Sequence, residues 1–327
     1  MRKRTAFIVP YFGQFPNYFQ LFLDSCSYNS VFDWLIFSDD TKEYNYPTNV
    51  HLIEMSFEEC RNLIQSKFDF QVTLHKPQKL CDYKCAYGYI FSDYLEEYDW
   101  WGHCDLDQIF GNLSSFITDK MLNQYDKIGS IGHLTLYRNT QENNKVFMSS
   151  QRYREVFTSQ VGCGFDEWLP GNVNEVYLDN GCPIYLENMG ADINPYRTAF
   201  ETVHFDRDNR LYIISNIHNS IFQMKDGHVY QLYLKKGKLQ RAEYPYVHFQ
   251  KRRMRDYRIN RNVMEYYMVP NSFKDINENP KALIFKSLVW NLINFQYFTV
   301  KINSLKYRIK NSDWKFNNVF RNSDNKN

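Results

Sequence analysis

Short apolar segments alternate with amphipathic segments along the first hundred residues of the chain. The runs Thr5–Pro10, Val31–Phe37 and Val50–Glu54 are short and end in polar turns, which predicts buried strands. Tyr18–Ser27 has the spacing of a helix. Ser56 opens the sequence S-F-E-E, a capping box that predicts the start of another helix.

The alternation continues with a helical pattern over about Pro77–Glu97 and a strand over Asp99–Asp105. Strands that alternate with helices predict an α/β fold in which helices cover a mostly parallel sheet. Ligands of such sheets bind beyond the carboxyl ends of the strands. Polar clusters follow the first and second strands and occupy His103–Asp107, so we expect the ligand site at this edge.

The pattern of the second half is mixed, with strands indicated by HVYQLYL and by EYPYVHFQKRR (243–253), which ends in basic residues. After Pro280 the chain becomes helical, aromatic and basic. We therefore expect residues 254–327 to form a helical extension appended to a domain of residues 1–253.

Charge is distributed unevenly along the chain. Residues 1–250 contain 23 basic and 31 acidic side chains, whereas residues 251–327 contain 16 and 6. A basic tail favours an anionic partner such as a membrane surface, phosphates or nucleic acid, although a solvated pair of basic helices explains it equally well. The acidic body and the lack of a recognisable module argue against nucleic-acid binding.

The seven cysteines have no paired C-x-x-C spacing, which favours a reducing compartment over a disulfide framework or a zinc site. The apolar run Ala6–Val9 is too short for a signal peptide. No segment approaches the roughly 18–20 apolar residues of a membrane-spanning helix. We expect a cytoplasmic protein, soluble or peripheral at the inner face of the cell membrane.

The sequence W-W-G-H-C-D-L-D-Q-I-F-G-N-L (100–113) carries the strongest chemical signal. Because side chains alternate on an extended chain, Asp105 and Asp107 point to the same side at the end of a strand. Two carboxylates on one side suit Mg²⁺ or Mn²⁺, which could bridge a diphosphate and stabilise a leaving group. Two surface carboxylates on a turn are the structural alternative.

The segment K-L-C-D-Y-K-C-A-Y-G-Y-I-F-S-D-Y-L-E-E-Y-D-W-W-G-H-C-D-L-D resembles the core of GT-A-type nucleotide-sugar glycosyltransferases, above all the bacterial capsule and lipopolysaccharide enzymes. The resemblance implies a GT-A-like, Rossmann-like fold, a divalent metal and a nucleotide diphosphate sugar. It implies that Asp105 and Asp107 contact metal and ribose, and that Lys79 and Asp82 lie near the donor.

This resemblance also implies a donor half of about residues 1–113 and an acceptor half of about 114–253. The chain lacks the H-x-x-G-x-x-K-P-W signature of the lipopolysaccharide galactosyltransferase group. Retention or inversion of configuration therefore stays open.

A second motif, Y-V-H-F-Q-K-R-R (246–253), places a histidine just before three basic residues. His248 could complete the metal site, because imidazole is a further ligand for such ions. Lys251 and Arg252 could neutralise the departing diphosphate. A structural histidine beside a solvated basic turn is the alternative.

Two acids in G-F-D-E-W-L-P-G-N (164–172) stand between aromatic residues. Asp166 or Glu167 could act as the general base for an acceptor hydroxyl, as an inverting transfer needs. They could equally bind acceptor hydroxyls without moving a proton, or favour the start of a helix.

The loop after the first strand and the end of the second correspond, in the GT-A resemblance, to the places that hold the base and the ribose. Tyr11 and Phe12 would contact the donor, with Tyr11 stacked on the base, and Asp39 and Asp40 would accept hydrogen bonds from it. Simple turn chemistry is the alternative. His133 is a candidate for contact with the acceptor, or a structural histidine.

We interpret the chain as a metal-dependent hexosyltransferase with a nucleotide diphosphate sugar donor, UDP-sugar being favoured by the resemblance, and a growing, lipid-linked bacterial surface glycan as acceptor. A metal-dependent nucleotidyl- or phosphotransferase stays open, although no G-x-x-x-x-G-K-[ST] or G-x-G-x-x-G loop occurs. A non-catalytic carbohydrate-binding protein also stays open, because 26 Tyr and 26 Phe supply faces that suit sugar rings. The basic aromatic tail could lie on a membrane or pack against the domain.

Overall fold

A computed structural model of the protein describes residues 3–162, 164–167, 170–206, 211–217, 219–250, 252, 254, 264–292 and 294–311. The strands are β1 (Thr5–Pro10), β2 (Phe32–Ser38), β3 (Val50–Glu54), β4 (Trp100–Cys104), β5 (Gln108–Phe110), β6 (Lys127–Ile128), β7 (Leu134–Arg138), β8 (Ile184–Tyr185), β9 (Ala191–Ile193), β10 (Thr202–Asp206), β11 (Leu211–Ile214), β12 (Ser220–Lys225), β13 (His228–Lys235), β14 (Lys238–Tyr244), β15 (Tyr246–His248), β16 (Tyr266–Val269) and β17 (Ser272–Asp275).

The α-helices are α1 (Phe19–Ser27), α2 (Phe57–Ser66), α3 (Tyr87–Ile90), α4 (Asp119–Gln124), α5 (Arg152–Thr158), α6 (Val173–Asp179), α7 (Pro280–Leu292) and α8 (Phe295–Asn311). Four 3₁₀ segments accompany them, at Pro77–Ala86, Ser92–Tyr94, Leu113–Ser115 and Asn143–Ser149.

The main sheet has the strand order β3-β2-β1-β4-β7-β6-β8. Strands β1 to β4 run parallel, and β7 runs antiparallel to β4. This confirms the predicted fold class, a mixed α/β architecture with a largely parallel sheet. Because β1, β2 and β4 run in the same direction, the residues that follow them meet at one edge of the sheet.

Both faces of the main sheet are covered, which explains why its first strand is an unbroken apolar run. Ala6 and Ile8 belong to one buried cluster, whereas Phe7 and Val9 belong to the cluster on the opposite face. Helix α1 contributes Phe19 to this second cluster. The buried strands make the edge that carries the polar loops a rigid platform.

Two smaller sheets complete the fold. One has the order β11-β10-β9-β15-β5, and the other is the antiparallel sheet β14-β13-β12-β16-β17. Three residues separate β4 from β5, and β5 pairs antiparallel with β15. The acidic motif therefore occupies the short connection between the main sheet and the second sheet.

Local predictions for the first hundred residues agree with the structure, with one difference. Ser56 accepts from the Glu59 amide, and the Glu59 side chain accepts from the Ser56 amide, which is the predicted capping box. The helical pattern over Pro77–Glu97 is divided into a 3₁₀ segment, α3 and a second 3₁₀ turn. Gly88 and neighbouring aromatic residues have low helix propensity, which weakens one continuous α-helix here.

The segment after residue 253 contains the two expected helices, but strands precede them. Strand β16 pairs with β12, so the third sheet includes residues from both sides of the expected boundary. Leu283 and Ile284 of α7 are buried against this sheet. Among the described residues, no helix combines the length and the apolar character needed to span a membrane.

Candidate functional site

Asp105 and Asp107 occupy the connection between β4 and β5. The Asp105 amide donates to the His133 carbonyl at 3.1 Å, which continues the pairing of β4 with β7 by one residue. The carboxylates remain partly exposed, with 34% of the Asp105 side chain and 28% of the Asp107 side chain accessible. Both acids are therefore reachable by a ligand at the edge of the sheet.

His248 meets these acids through strand pairing. In the register of β15 and β5, His248 lies opposite Gln108, and the Phe249 amide donates to the Asp107 carbonyl at 2.9 Å. The His248 Nε2 atom lies 3.1 Å from Asp107 Oδ1 and 3.8 Å from Asp105 Oδ2. Residues 141 positions apart thus form one cluster.

The donor set of this cluster fits a divalent cation. One potential ligand atom from each of Asp105, Asp107 and His248 lies within 4.8 Å of the others. Two carboxylates with one imidazole suit Mn²⁺, and the carboxylates alone suit Mg²⁺. These three residues could hold the ion.

The pKa values of Asp105 and His248 are set by the charged groups around them. Burial would raise the pKa of the Asp105 carboxyl, but the Lys84 ammonium and the His248 imidazole lower it to about 2. Burial would lower the pKa of His248, whereas Asp107 and Asp192 hold it well above its ordinary value. Asp105 is therefore ionised at neutral pH, as a metal ligand must be.

Lys84 is a component of the site that the sequence reasoning missed. Its Nζ donates to Asp105 Oδ1 and to the Gly132 carbonyl, both at 2.7 Å. The motif K-L-C-D-Y-K contains two lysines, Lys79 and Lys84, and either could have pointed to the site. The spacing of the motif does not reveal which lysine faces the sheet edge.

Asp166 and Glu167 lie close to Lys84, beside the Gly132 turn. Glu167 Oε2 accepts from the Gly132 amide at 3.0 Å. A Cβ atom at position 132 would stand 2.0 Å from Asp166 Oδ2, so only glycine allows this approach. Burial, followed by the charge of Glu167, raises the pKa of Asp166 well above its ordinary value, and burial also raises the pKa of Glu167.

Lys79 and Asp82 form a buried ion pair at 2.7 Å. A 3₁₀ helix brings residues three apart into line, which favours this contact. Lys79 Nζ also donates to the carbonyls of Val156 and Val161, and Asp82 accepts from the Gly164 amide. The pair thereby ties the 3₁₀ segment to the chain before Asp166.

Tyr11 and Phe12 differ in their surroundings. Tyr11 is half-buried, with its ring 5.5 Å from that of Phe15, and burial together with the charge of Asp107 raises its pKa. Phe12 is 8% exposed and packs on Phe57 in the core. Of the two, Tyr11 is the one brought toward the acidic motif.

Asp39 and Asp40 hold the first loop in place. Asp39 Oδ1 accepts from the Gly13 amide at 2.7 Å, and Asp40 Oδ2 accepts from the Phe15 amide at 2.9 Å. Both acids also line a cavity of about 710 Å³ together with Lys42. The two acids therefore line the cavity and also hold the loop that carries Tyr11.

Arg252 and His133 are both buried. The Arg252 guanidinium donates to the carbonyls of Thr198, Asn194, Arg197 and Ala199, so its donors face the protein interior. Lys251, the other expected phosphate ligand, lies outside the described residues.

The His133 ring lies 4.5 Å from the His248 ring, with Nδ1 3.1 Å from the Tyr246 hydroxyl. Burial and the charge of His248 lower the pKa of His133 to about 4.

Residues 7–277 match the model of a family described as "Family of unknown function (DUF6625)". The chain belongs to this family. No curated protein matches it. Among solved structures it is similar to the galactosyltransferase LgtC in complex with donor and acceptor sugar analogs, at 10% sequence identity and a TM-score of 0.35, over 58% of this chain and 74% of that chain. At such a low TM-score, no residue role is transferred between the two proteins.

In this DUF6625 member, the cluster also includes a carboxylate that no sequence motif marks. Asp192 of β9 is 2% exposed, and the Nδ1 atom of His248 donates to its Oδ1 at 2.8 Å. Asp192 stands in A-D-I-N, a short strand without a motif. Only the pairing of β9 with β15 brings it to His248.

Proposed function

We propose that this protein is a metal-dependent glycosyltransferase that transfers a hexose from a nucleotide diphosphate sugar to a hydroxyl group of a glycan. The observation that carries the proposal is the convergence of Asp105, Asp107 and His248 at the carboxyl edge of a largely parallel sheet. The D-x-D motif and the resemblance to GT-A-type enzymes support the same reading.

In the proposed reaction, the bond between the anomeric carbon and the diphosphate oxygen breaks, and the acceptor oxygen forms a new bond to that carbon. The nucleoside diphosphate leaves with the electron pair of the broken bond. Asp105, Asp107 and His248 would hold Mn²⁺ or Mg²⁺, which would supply positive charge to stabilise the departing diphosphate. Tyr11 would line the donor pocket, because it lies half-buried near Asp107.

The acceptor hydroxyl must lose its proton as the new bond forms. Glu167 is the better candidate to accept that proton, because it is partly exposed, whereas Asp166 is 5% exposed. Burial raises the pKa of Glu167, which makes its carboxylate a stronger base. Asp166 is buried beside Glu167 and would act on the acceptor through the charge of Glu167, not by direct contact.

We extend the proposal to a lipid-linked acceptor and a peripheral, cytoplasmic location at the inner face of a bacterial membrane, and helix α8 supports the membrane contact that this location needs. Phe295, Phe298, Ile302 and Leu305 are between 51% and 61% exposed, and their spacing puts them on one helix face. Residues 280–311 contain five lysines, one arginine and no acidic residue. An apolar face flanked by lysines suits an anionic lipid surface.

A thermal-shift panel of nucleotide sugars, with and without Mn²⁺, tests the proposal. A ligand that binds only the folded state raises its stability by about 2.7 kcal/mol at 100 times the dissociation constant. We expect a Mn²⁺-dependent shift with one class of nucleotide sugar, lost in Asp105→Ala/Asp107→Ala. Asp99→Asn is the matched control, since Asp99 directly precedes the same strand at its opposite end.

Product analysis then separates the remaining alternatives. Release of nucleoside diphosphate in the presence of a glycan acceptor supports glycosyl transfer. Release of pyrophosphate would instead identify a nucleotidyltransferase. Glycan binding without nucleotide or Mn²⁺ would identify a carbohydrate-binding protein and overturn the proposal.

A further inference from the structure

The buried carboxylate of Asp192 is fixed to His248 by the sheet itself. Strands β9 and β15 run parallel, and Asp192 and His248 are partners in their register. The contact therefore joins directly opposed residues on adjacent strands, and it needs no flexible loop. Asp192 is 2% exposed and His248 is 7% exposed, so solvent does not compete for this contact.

The two nitrogen atoms of the His248 ring face different carboxylates. Nδ1 donates to Asp192 Oδ1 at 2.8 Å, whereas Nε2 lies 3.1 Å from Asp107 Oδ1. A neutral imidazole carries one N–H group, and the other nitrogen then presents a lone pair. If the hydrogen is held on Nδ1, the lone pair of Nε2 points toward Asp107.

The second oxygen of Asp192 is also occupied. Gln250 Nε2 donates to Asp192 Oδ2 at 2.5 Å. Gln250 has a backbone φ of 40°, in the left-handed region that costs a residue with a side chain about 1 kcal/mol or more. The chain thus turns sharply after β15 and returns an amide group to Asp192.

A second group of residues competes for the same histidine. His133, Asp192 and His248 also lie close enough together to hold an ion. In that arrangement Asp192 would be a ligand and His248 would use Nδ1. The contacts favour the first arrangement, since both Asp192 oxygens already accept hydrogen bonds. His133 Nδ1, in turn, lies 3.1 Å from the Tyr246 hydroxyl.

We propose that Asp192 is a positioning residue, which accepts the Nδ1 hydrogen of His248 and so directs the Nε2 lone pair toward a cation held with Asp105 and Asp107. Gln250 fixes the orientation of the Asp192 carboxylate. Metal-binding histidines commonly donate their second nitrogen to a carboxylate, and loss of this partner weakens metal binding by about 10- to 100-fold. The inference rests on the proposed function for its metal, but not for the sugar or the acceptor.

Titration of the full-length protein with Mn²⁺, followed by electron paramagnetic resonance without any nucleotide, tests the inference. We expect Asp192→Asn to bind Mn²⁺ about 10- to 100-fold more weakly than wild type. Asp107→Asn, which removes a proposed ligand, should lose more of its affinity for Mn²⁺ than Asp192→Asn does. Asp33→Asn is the control, because Asp33 is a partly buried carboxylate that accepts from the Tyr98 hydroxyl at the start of β2.

Electron spin-echo spectra of bound Mn²⁺ separate a positioning role from a merely structural one. The ¹⁴N modulation from His248 should be strong in wild type and weaker in Asp192→Asn at an unchanged melting temperature. Gln250→Ala should also weaken the ¹⁴N modulation, by a smaller amount than Asp192→Asn.

Three outcomes would overturn the inference. Unchanged affinity and modulation in Asp192→Asn would show that Asp192 does not orient the ring, while the proposed function stands. A loss equal to that of Asp107→Asn would make Asp192 a ligand. Absence of Mn²⁺ binding in wild type would remove both this inference and the metal of the proposed function.

Discussion

The Lys84 ammonium and the Asp105 carboxylate form a hydrogen-bonded ion pair at 2.7 Å, at the edge where the acidic motif leaves the main sheet. Lys84 is 13% exposed at its side chain, and its second donor contact, to the Gly132 carbonyl, fixes it between Asp105 and the turn beside Asp166. Burial would lower the pKa of Lys84, but the charges of Asp105 and Asp166 raise it. This lysine is thus a fixed positive charge within the site.

Replacing this charge by an apolar side chain should have two measurable effects. Lys84→Met should lower the free energy of unfolding by about 1.5–3 kcal/mol, since a charged hydrogen bond is lost. It should also increase the thermal shift produced by Mn²⁺, because the cation then meets carboxylates that lack their own counter-charge. Denaturant unfolding and thermal shift measure the two effects. Lys84→Arg, which keeps the charge, should show a smaller change, and an equal change would contradict the electrostatic explanation.

The Asp166 carboxyl should lower the free energy of unfolding at neutral pH. Its pKa is raised in the folded protein, first by burial and then by Glu167. Below the pKa of Asp166 in the unfolded chain, the carboxyl is protonated in both states. Above that pKa the unfolded chain ionises more readily than the folded protein. The free energy of unfolding therefore decreases as the pH rises toward the pKa of Asp166 in the folded protein. Asp166→Asn should therefore stabilise the protein by about 0.5–2 kcal/mol at pH 8 and less at pH 4.

Asp82→Asn is the contrasting variant for this measurement. Asp82 is also fully buried, but it is ion-paired with Lys79. Removing its charge leaves the lysine buried without its counter-charge, which should destabilise the protein by about 3–5 kcal/mol. Thermal or urea unfolding of both variants checks the signs. If Asp166→Asn is as destabilising as Asp82→Asn, the Asp166 carboxylate is a structural ion-pair partner.

Lys127 should make the stability of the protein increase with pH above neutrality. Its side chain is 0% exposed, and burial lowers its pKa to about 7, while Nζ donates to Asn174 Oδ1 at 2.6 Å. Between this pKa and the ordinary value of 10.5, the unfolded chain binds more protons than the folded one. The stability of wild type relative to Lys127→Met should therefore rise from pH 7 to pH 10, by at most about 1.4 kcal/mol per pH unit.

Urea unfolding of the two proteins across that pH range measures this difference. Subtracting the free energy of unfolding of Lys127→Met from that of wild type removes the contributions of all other titrating groups that the variant leaves unchanged. A difference that stays constant from pH 7 to pH 10 would mean that Lys127 is charged in the folded protein throughout.

The apolar face of α8 should determine binding to anionic lipid. Phe298 is 61% exposed and Leu305 is 57% exposed on this face. Burying each side chain in a lipid interface is worth about 1.5–3 kcal/mol, so Phe298→Ser/Leu305→Ser should weaken binding to vesicles that contain phosphatidylglycerol by more than about tenfold. Co-sedimentation measures the binding. Leu178→Ser on α6, at 52% exposure, is the matched control. Equal binding by all three proteins would contradict a membrane role for α8.

Much of the local structure could be predicted from the sequence because its causes are local. Thr5–Pro10 and Val50–Glu54 have the predicted limits, and Ser56 and Glu59 form the predicted capping box. Strand burial, turn residues and caps act over a few positions, so the pattern of side chains is sufficient to indicate them. For the same reason Asp105 and Asp107 could be assigned to one side at the end of a strand.

The composition of the site beyond this motif depended on pairing between distant segments. The basic neighbours of His248 mark it in the sequence, yet its position beside Asp107 comes from the register of β15 and β5. Lys84 and Lys79 cannot be distinguished in the sequence, because both occur in one motif and differ only in the direction they take from a 3₁₀ segment. Arg252 likewise reads as a surface cation in sequence and is buried among carbonyl groups in the fold.

The sequence by itself determined the α/β class, the first four strands of the main sheet and the acidic motif at its edge, because these follow from short-range periodicity. Only the tertiary structure decided that Asp192 stands behind His248 and that Lys84 stands beside Asp105. These contacts join residues between 21 and 56 positions apart. Asp192 reaches His248 through the pairing of β9 with β15, and Lys84 reaches Asp105 from a separate 3₁₀ segment. Both contacts depend on how segments distant along the chain pack together, which short-range periodicity does not report.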